Sequence, residues 1–128
     1  MKPFIAVAAV ATAAAAGIHF AVAPEHFQEW WGFGTFFVAS GVAQLTWAVA
    51  PRNVAIGIAG NAALIALWAI SRTTGLPFGP DAGTPEAVGP VDLASIALEL
   101  VAVFALVANR FAVVGEWTPI HLLHEENT

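Results

Sequence analysis

The sequence predicts an all-α integral membrane protein: a bundle of four spanning helices with a Pro/Gly-rich cap loop at its outer end. Two features of the composition predict it. Hydrophobic residues make up 59% of the 128 and charged residues only 10%, against about 25% charged in a soluble domain. The apolar residues also gather into four runs, at about 3–23, 27–50, 54–71 and 91–108. Each is near the roughly 17–25 residues that a helix needs to cross a hydrocarbon core about 30 Å thick.

The first run follows Lys2 and is dominated by alanine. It has the outline of a secretory signal peptide, with Ala21-Val22-Ala23 as a small-x-small site. Its length exceeds an h-region of about 7–15 residues, and Pro24 would stand directly after the cut, so a retained span is expected. Pro24 is expected to stop this helix, with Glu25 and His26 opening the second. Glu25 and Glu29 would then lie in a first turn, where carboxylates suit the positive helix end. Pro51-Arg52-Asn53 makes a tight turn into the third run. Residues 73–90 hold Gly75, Pro77, Gly79, Pro80, Gly83, Pro85, Gly89 and Pro90, a density that excludes regular structure. The apolar Leu76-Pro77-Phe78 suggests that this loop is an ordered cap. Beyond the fourth run, residues 111–128 read as an exposed cytoplasmic tail, in which His121 and His124 are solvated. The whole is one transmembrane domain, and four spans leave no separate soluble domain among the 128 residues.

Small residues indicate how the spans meet. Ala8 to Gly17, Gly32, Gly34, Ser40, Gly41, Gly57 and Gly60 permit the close backbone approach on which association in lipid relies. Gln44 and Asn61 are read as interhelical hydrogen-bonding amides, worth about 0.6–2 kcal/mol each. Positive charge sets the orientation. With the N-terminus inside, Lys2, Arg52 and Arg110 are cytoplasmic and Arg72 alone is outside, which gives an N-in, C-in topology. Trp30 and Trp31 read as interfacial anchors.

The composition narrows the function. A net charge of −5 with four scattered Lys and Arg excludes nucleic acid, which needs clustered cations. Without cysteine there is no disulfide, thiolate metal site or iron–sulfur cluster. There is no nucleotide or other cofactor fingerprint and no nucleophile set beside a base, so catalysis is not indicated.

Most of the remaining ionisable groups converge on the outer end. His19 lies one turn inside the first span, and His26 and Glu29 stand three apart in a single turn. Asp92, Ser95 and Glu99 share one helical face, at spacings of three and seven. Glu99 is about 12 Å into its helix at 1.5 Å per residue. An ionisable group at that depth is costly and marks a functional site by default, and His19 is its expected partner. His19, His26, Glu29, Asp92 and Glu99 form a candidate set of imidazole and carboxylate ligands for Zn, Cu, Fe or Mn. A haem is disfavoured, since His19 and His26 are separated by one proline-containing turn. Arg72, Asp81, Glu86 and Ser95 are expected to form a polar network that ties the loop to the bundle.

The stretches Gly17–Trp31 and Ser71–Glu86 resemble those of small four-span bacterial membrane proteins of actinobacterial type, a group with no established activity. The resemblance spans most of the chain. It implies a bacterial inner-membrane protein and carries over no site residues. The expected function is binding of a divalent or transition metal ion at an outward His/carboxylate site, in handling, sensing or an accessory role. One alternative is a structural accessory subunit of a larger membrane complex, its polar cluster pinning the cap. Another is a proton- or cation-coupled transporter acting as a homo-oligomer.

Overall fold

The computed structural model describes residues 2–116, and the four expected helices are all present: α1 (Pro3–Glu29), α2 (Trp31–Val49), α3 (Val54–Thr73) and α4 (Pro90–Glu116). No strand occurs among the described residues. All four helices are long and apolar enough to cross a membrane. Large apolar side chains such as Val10, Val49, Phe104 and Phe111 stand exposed on the outside of the bundle, where a bilayer replaces water as solvent. The chain is a multi-pass membrane protein.

α1 is the central helix. Its buried residues Ala8, Ala11, Thr12, Ala15, Ala16, His19 and Ala23 recur at three- and four-residue steps, so one face carries the small residues that let neighbours approach. α1 packs against α2 and α4, α4 packs against α3, and α2 and α3 are the most loosely packed of the neighbouring pairs. Around the bundle the order is therefore α2, α1, α4, α3, with a weak seam between α2 and α3. The end formed by the α1 N-terminus is dry, with Ala8, Ala11, Ala102, Ala105 and Leu106 in one apolar cluster. Near the 50–53 turn, Trp47 of α2 lies against Gly57 of α3 and donates its Nε1–H to the Asn53 carbonyl at 2.9 Å. Asn53 caps α3 by accepting from the Ile56 amide at 3.1 Å.

Two boundaries differ from the sequence-based expectation. Pro24 does not stop the first helix, which continues to Glu29. A proline within a helix removes a single backbone donor, and transmembrane helices tolerate the loss where surrounding groups satisfy the backbone. The carbonyl left without its helical donor is that of Phe20, four residues earlier, while the Val22 carbonyl accepts from the His26 Nδ1–H at 2.8 Å. The chain reverses instead at Trp30, whose backbone is extended and whose amide donates to the His26 carbonyl at 3.0 Å. The reversal is close enough that a Cβ on Gly34 would run into the Phe27 ring. Glu25, His26 and Glu29 therefore end α1 rather than open α2, and they sit at the negative end of a helix dipole. Likewise α4 runs unbroken past Ala108 to Glu116, so the tail proposed for 111–128 is helical in its first part. His121 and His124 lie outside the described residues.

The α3–α4 connection, residues 74–89, is irregular as expected, with a wide turn closed by Gly83 N–H to the Leu76 carbonyl and a tight one by Thr84 N–H to the Asp81 carbonyl. Gly75 ends α3 in a left-handed conformation (φ 80°), and a Cβ there would meet the backbone of Gly83 and Thr84. Replacing Gly57 by leucine should force Trp47 and Leu106 apart and destabilise the detergent-solubilised protein by about 1–3 kcal/mol. The same change at Gly60, which has open space around it, should leave the unfolding midpoint nearly unchanged. Thermal unfolding of the two variants checks this.

Candidate functional site

Because α1 is one helix through Pro24, its residues Ile18, His19, Val22, His26 and Glu29 fall on a single face and line a cavity of about 360 Å³. α4, packed beside α1, adds Val91, Asp92, Ser95, Ile96 and Glu99. α2 supplies an aromatic wall of Phe33, Phe36 and Phe37, and α3 adds Leu64, Leu67 and Trp68. The cavity thus occupies the seam where α2 and α3 fail to pack. Leu76, Phe78 and Glu86 of the 74–89 loop border it, and the loop lies near enough to α2 that a Cβ on Gly79 would touch Phe33. The volume falls within the roughly 300–1,000 Å³ of small-molecule sites.

The floor is polar and deeply buried. Glu99 is 1% exposed and His19 6%. The expected pairing forms: His19 Nε2 lies 3.4 Å from Glu99 Oε1, and Ser95 Oγ lies 3.3 Å from that nitrogen and 3.5 Å from that oxygen. Gln44 donates to Glu99 Oε1 at 3.1 Å and to Asn61 Oδ1 at 3.3 Å. Asn61 in turn donates to Thr12 Oγ1 at 3.2 Å and to the Gly57 carbonyl at 3.0 Å. One chain of hydrogen bonds therefore ties all four helices together. Three buried atoms on it have no partner among the described residues: His19 Nδ1, Gln44 Oε1 and Glu99 Oε2. Buried polar atoms are almost always satisfied, and since His19 and Glu99 both line the cavity, their free atoms suit a further group there.

The rim is organised around Arg72. Its guanidinium donates to Glu86 at 2.7 Å, to Asp92 at 3.1 and 3.2 Å, and to Ser71 Oγ at 2.7 Å. Asp92 also accepts from Trp68 Nε1 at 3.1 Å and from the Gly89 amide at the start of α4. The Glu86 amide donates to the Ser71 carbonyl at 2.9 Å. Of the expected loop-tying set, Arg72 and Glu86 are joined and Asp92 completes the tie to α4, whereas Asp81 only closes a turn within the loop through its carbonyl to the Thr84 amide and Ser95 belongs to the floor.

Of the five candidate ligands, only His19 and Glu99 meet. Asp92 is engaged with Arg72, Trp68 and Gly89. His26 lies two turns beyond His19, about 10.5 Å along the axis at 1.5 Å per residue. Its Nδ1 faces the Val22 carbonyl, which only accepts, so that nitrogen carries the proton. The His26 ring rests on Phe37, with centroids 4.1 Å apart. Glu29 stands exposed one turn further on. Among the described residues, no three His, Asp or Glu side chains are grouped as a metal ion would need.

Gln44 and Asn61 are the interhelical amides expected from the sequence, but their attachment to Glu99 depends on the bundle order. Thr12 reads as one more small residue of an alanine-rich helix, and the Phe36-Phe37 pair as ordinary span. No known protein family, curated protein or solved structure matches the chain.

Gln44→Leu should destabilise the protein by about 1–2 kcal/mol, since it strips a donor from Glu99 and from Asn61 at once. Combined with Asn61→Leu, the loss should be smaller than the sum of the two, because both changes break the same bond. Equilibrium unfolding in mixed micelles measures both.

Proposed function

We propose that this protein, in the bacterial inner membrane with residues 74–89 on the outer side, binds a small amphipathic molecule in the cavity between α2 and α3. The polar part of the molecule meets His19 and Glu99, and its apolar part lies between the phenylalanines of α2 and the Leu64–Trp68 face of α3. The observation that carries this reading is that two residues lining an otherwise mainly apolar cavity, His19 and Glu99, each keep a buried polar atom without a partner. Such a mixture, apolar walls with a few convergent polar groups, is the usual make-up of a ligand site. The weak α2–α3 seam gives the molecule a path from the bilayer.

A divalent or transition metal ion is the second reading, favoured by the same free atoms on His19 and Glu99. The described residues supply only these two groups at one point, short of the usual three or four protein ligands, so the organic ligand is preferred. Elemental mass spectrometry of untagged protein would support the metal only if an ion is present in wild type and absent from His19→Ala.

The organic reading is tested with 1-naphthol, a neutral ring bearing one hydroxyl, by equilibrium dialysis against protein in nanodiscs with empty nanodiscs as blank. Saturable binding is expected, weakened at least about tenfold by Leu67→Trp, which fills the cavity from α3. Partition equal to that of the blank would sink the proposal.

A further inference from the structure

We infer that the cavity ligand is a lipophilic organic cation, a quaternary or protonated amine, held with its charge against the Glu99 carboxylate and its apolar groups against the aromatic wall. This rests on the reading that the cavity is a ligand site. It adds the charge of the ligand and the residue that selects it.

The hydrogen-bond inventory of the floor carries the inference. Every donor that reaches Glu99 reaches Oε1: Gln44 Nε2, Ser95 Oγ and the neighbouring His19 Nε2. Oε2 has none. The two amide hydrogens of Gln44 are both in use, so its unpartnered Oε1 is an acceptor too. With Glu99 ionised, what these buried groups lack is positive charge or donors. His19 does not supply them, because an imidazolium would add an N–H at Nδ1, where no acceptor is present. α2 and α3 present only the uncharged Gln44 and Asn61 to this group, and α4 adds Ser95.

The surroundings agree in sign. Glu25, Glu29, Glu86, Asp92 and Glu99 all border the cavity, against a single fixed cation, Arg72. Arg72 is already held by Glu86 and Asp92, and His26 donates to a backbone carbonyl. The acidic rim draws cations toward the opening. Inside, Phe33, Phe36, Phe37 and Trp68 line the cavity, and aromatic rings attract an alkylammonium group most strongly when it is desolvated. The Arg72 guanidinium already lies 6.0 Å from the Trp68 ring centroid. A neutral lipophile would gain the walls but leave the Glu99 oxygen bare.

The test pairs benzyltrimethylammonium with neopentylbenzene, its uncharged isostere, by dialysis against full-length protein in nanodiscs. Wild type should bind the cation at least about tenfold more tightly than the isostere, the scale of one desolvated charge contact. Glu99→Gln should remove that preference while still binding the isostere, which also shows that the variant is folded. Glu99→Asp should keep it. Lowering the pH should weaken the cation alone, since protons compete for the carboxyl. Equal binding of the two probes, or a preference that survives Glu99→Gln, would overturn the cation assignment and leave the cavity reading standing. Binding of neither probe would overturn both.

Discussion

A carboxyl group almost fully buried in the middle of a membrane protein constrains everything around it. Glu99 cannot be solvated by lipid, so hydrogen-bond donors must come from the helices. Ser95 comes from one turn earlier on α4, His19 from α1 and Gln44 from α2, and Asn61 of α3 holds Gln44 in place. Each helix is thereby registered along its axis by a polar contact. Apolar packing between spans cannot do this, because lipid tails are as apolar as the side chains they replace.

The same requirement explains why the bundle is lopsided. Below the Glu99 network, alanines and Leu106 close the core around α1. Above it, bulky Phe33, Phe36, Phe37 and Trp68 replace small residues on the facing surfaces of α2 and α3, and the helices stand apart. A short turn fixes α2 and α3 together at one end only. The space that results is apolar on two sides, polar beneath and acidic at its rim. The 74–89 loop borders this space because Arg72 grips the loop through Glu86 and the top of α4 through Asp92. Arg72 is thus a structural clamp, its charge spent on carboxylates of the rim.

Much of this was legible in the chain. Length and hydropathy are local properties, so four spans and an irregular loop rich in glycine and proline follow from the sequence, as does the pairing of His19 with Glu99 by depth. The reversal at Trp30 was not legible. It carries neither proline nor glycine, whereas Pro24, the usual stop signal, falls where the helix continues. Locating that break decides whether His26 and Glu29 stand on the His19 face of α1 or begin another helix.

What the sequence alone determined is the set of elements and the depth of each ionisable group, because helix length and burial in lipid depend on short stretches of residues. Which groups touch was decided only by the tertiary structure. The order α2, α1, α4, α3 brings Gln44, Asn61 and Thr12 to Glu99, gives Asp92 to Arg72, and leaves Oε2 of Glu99 unpartnered beneath an aromatic-walled space. No local pattern encodes those outcomes, since they depend on how one helix face is rotated against another.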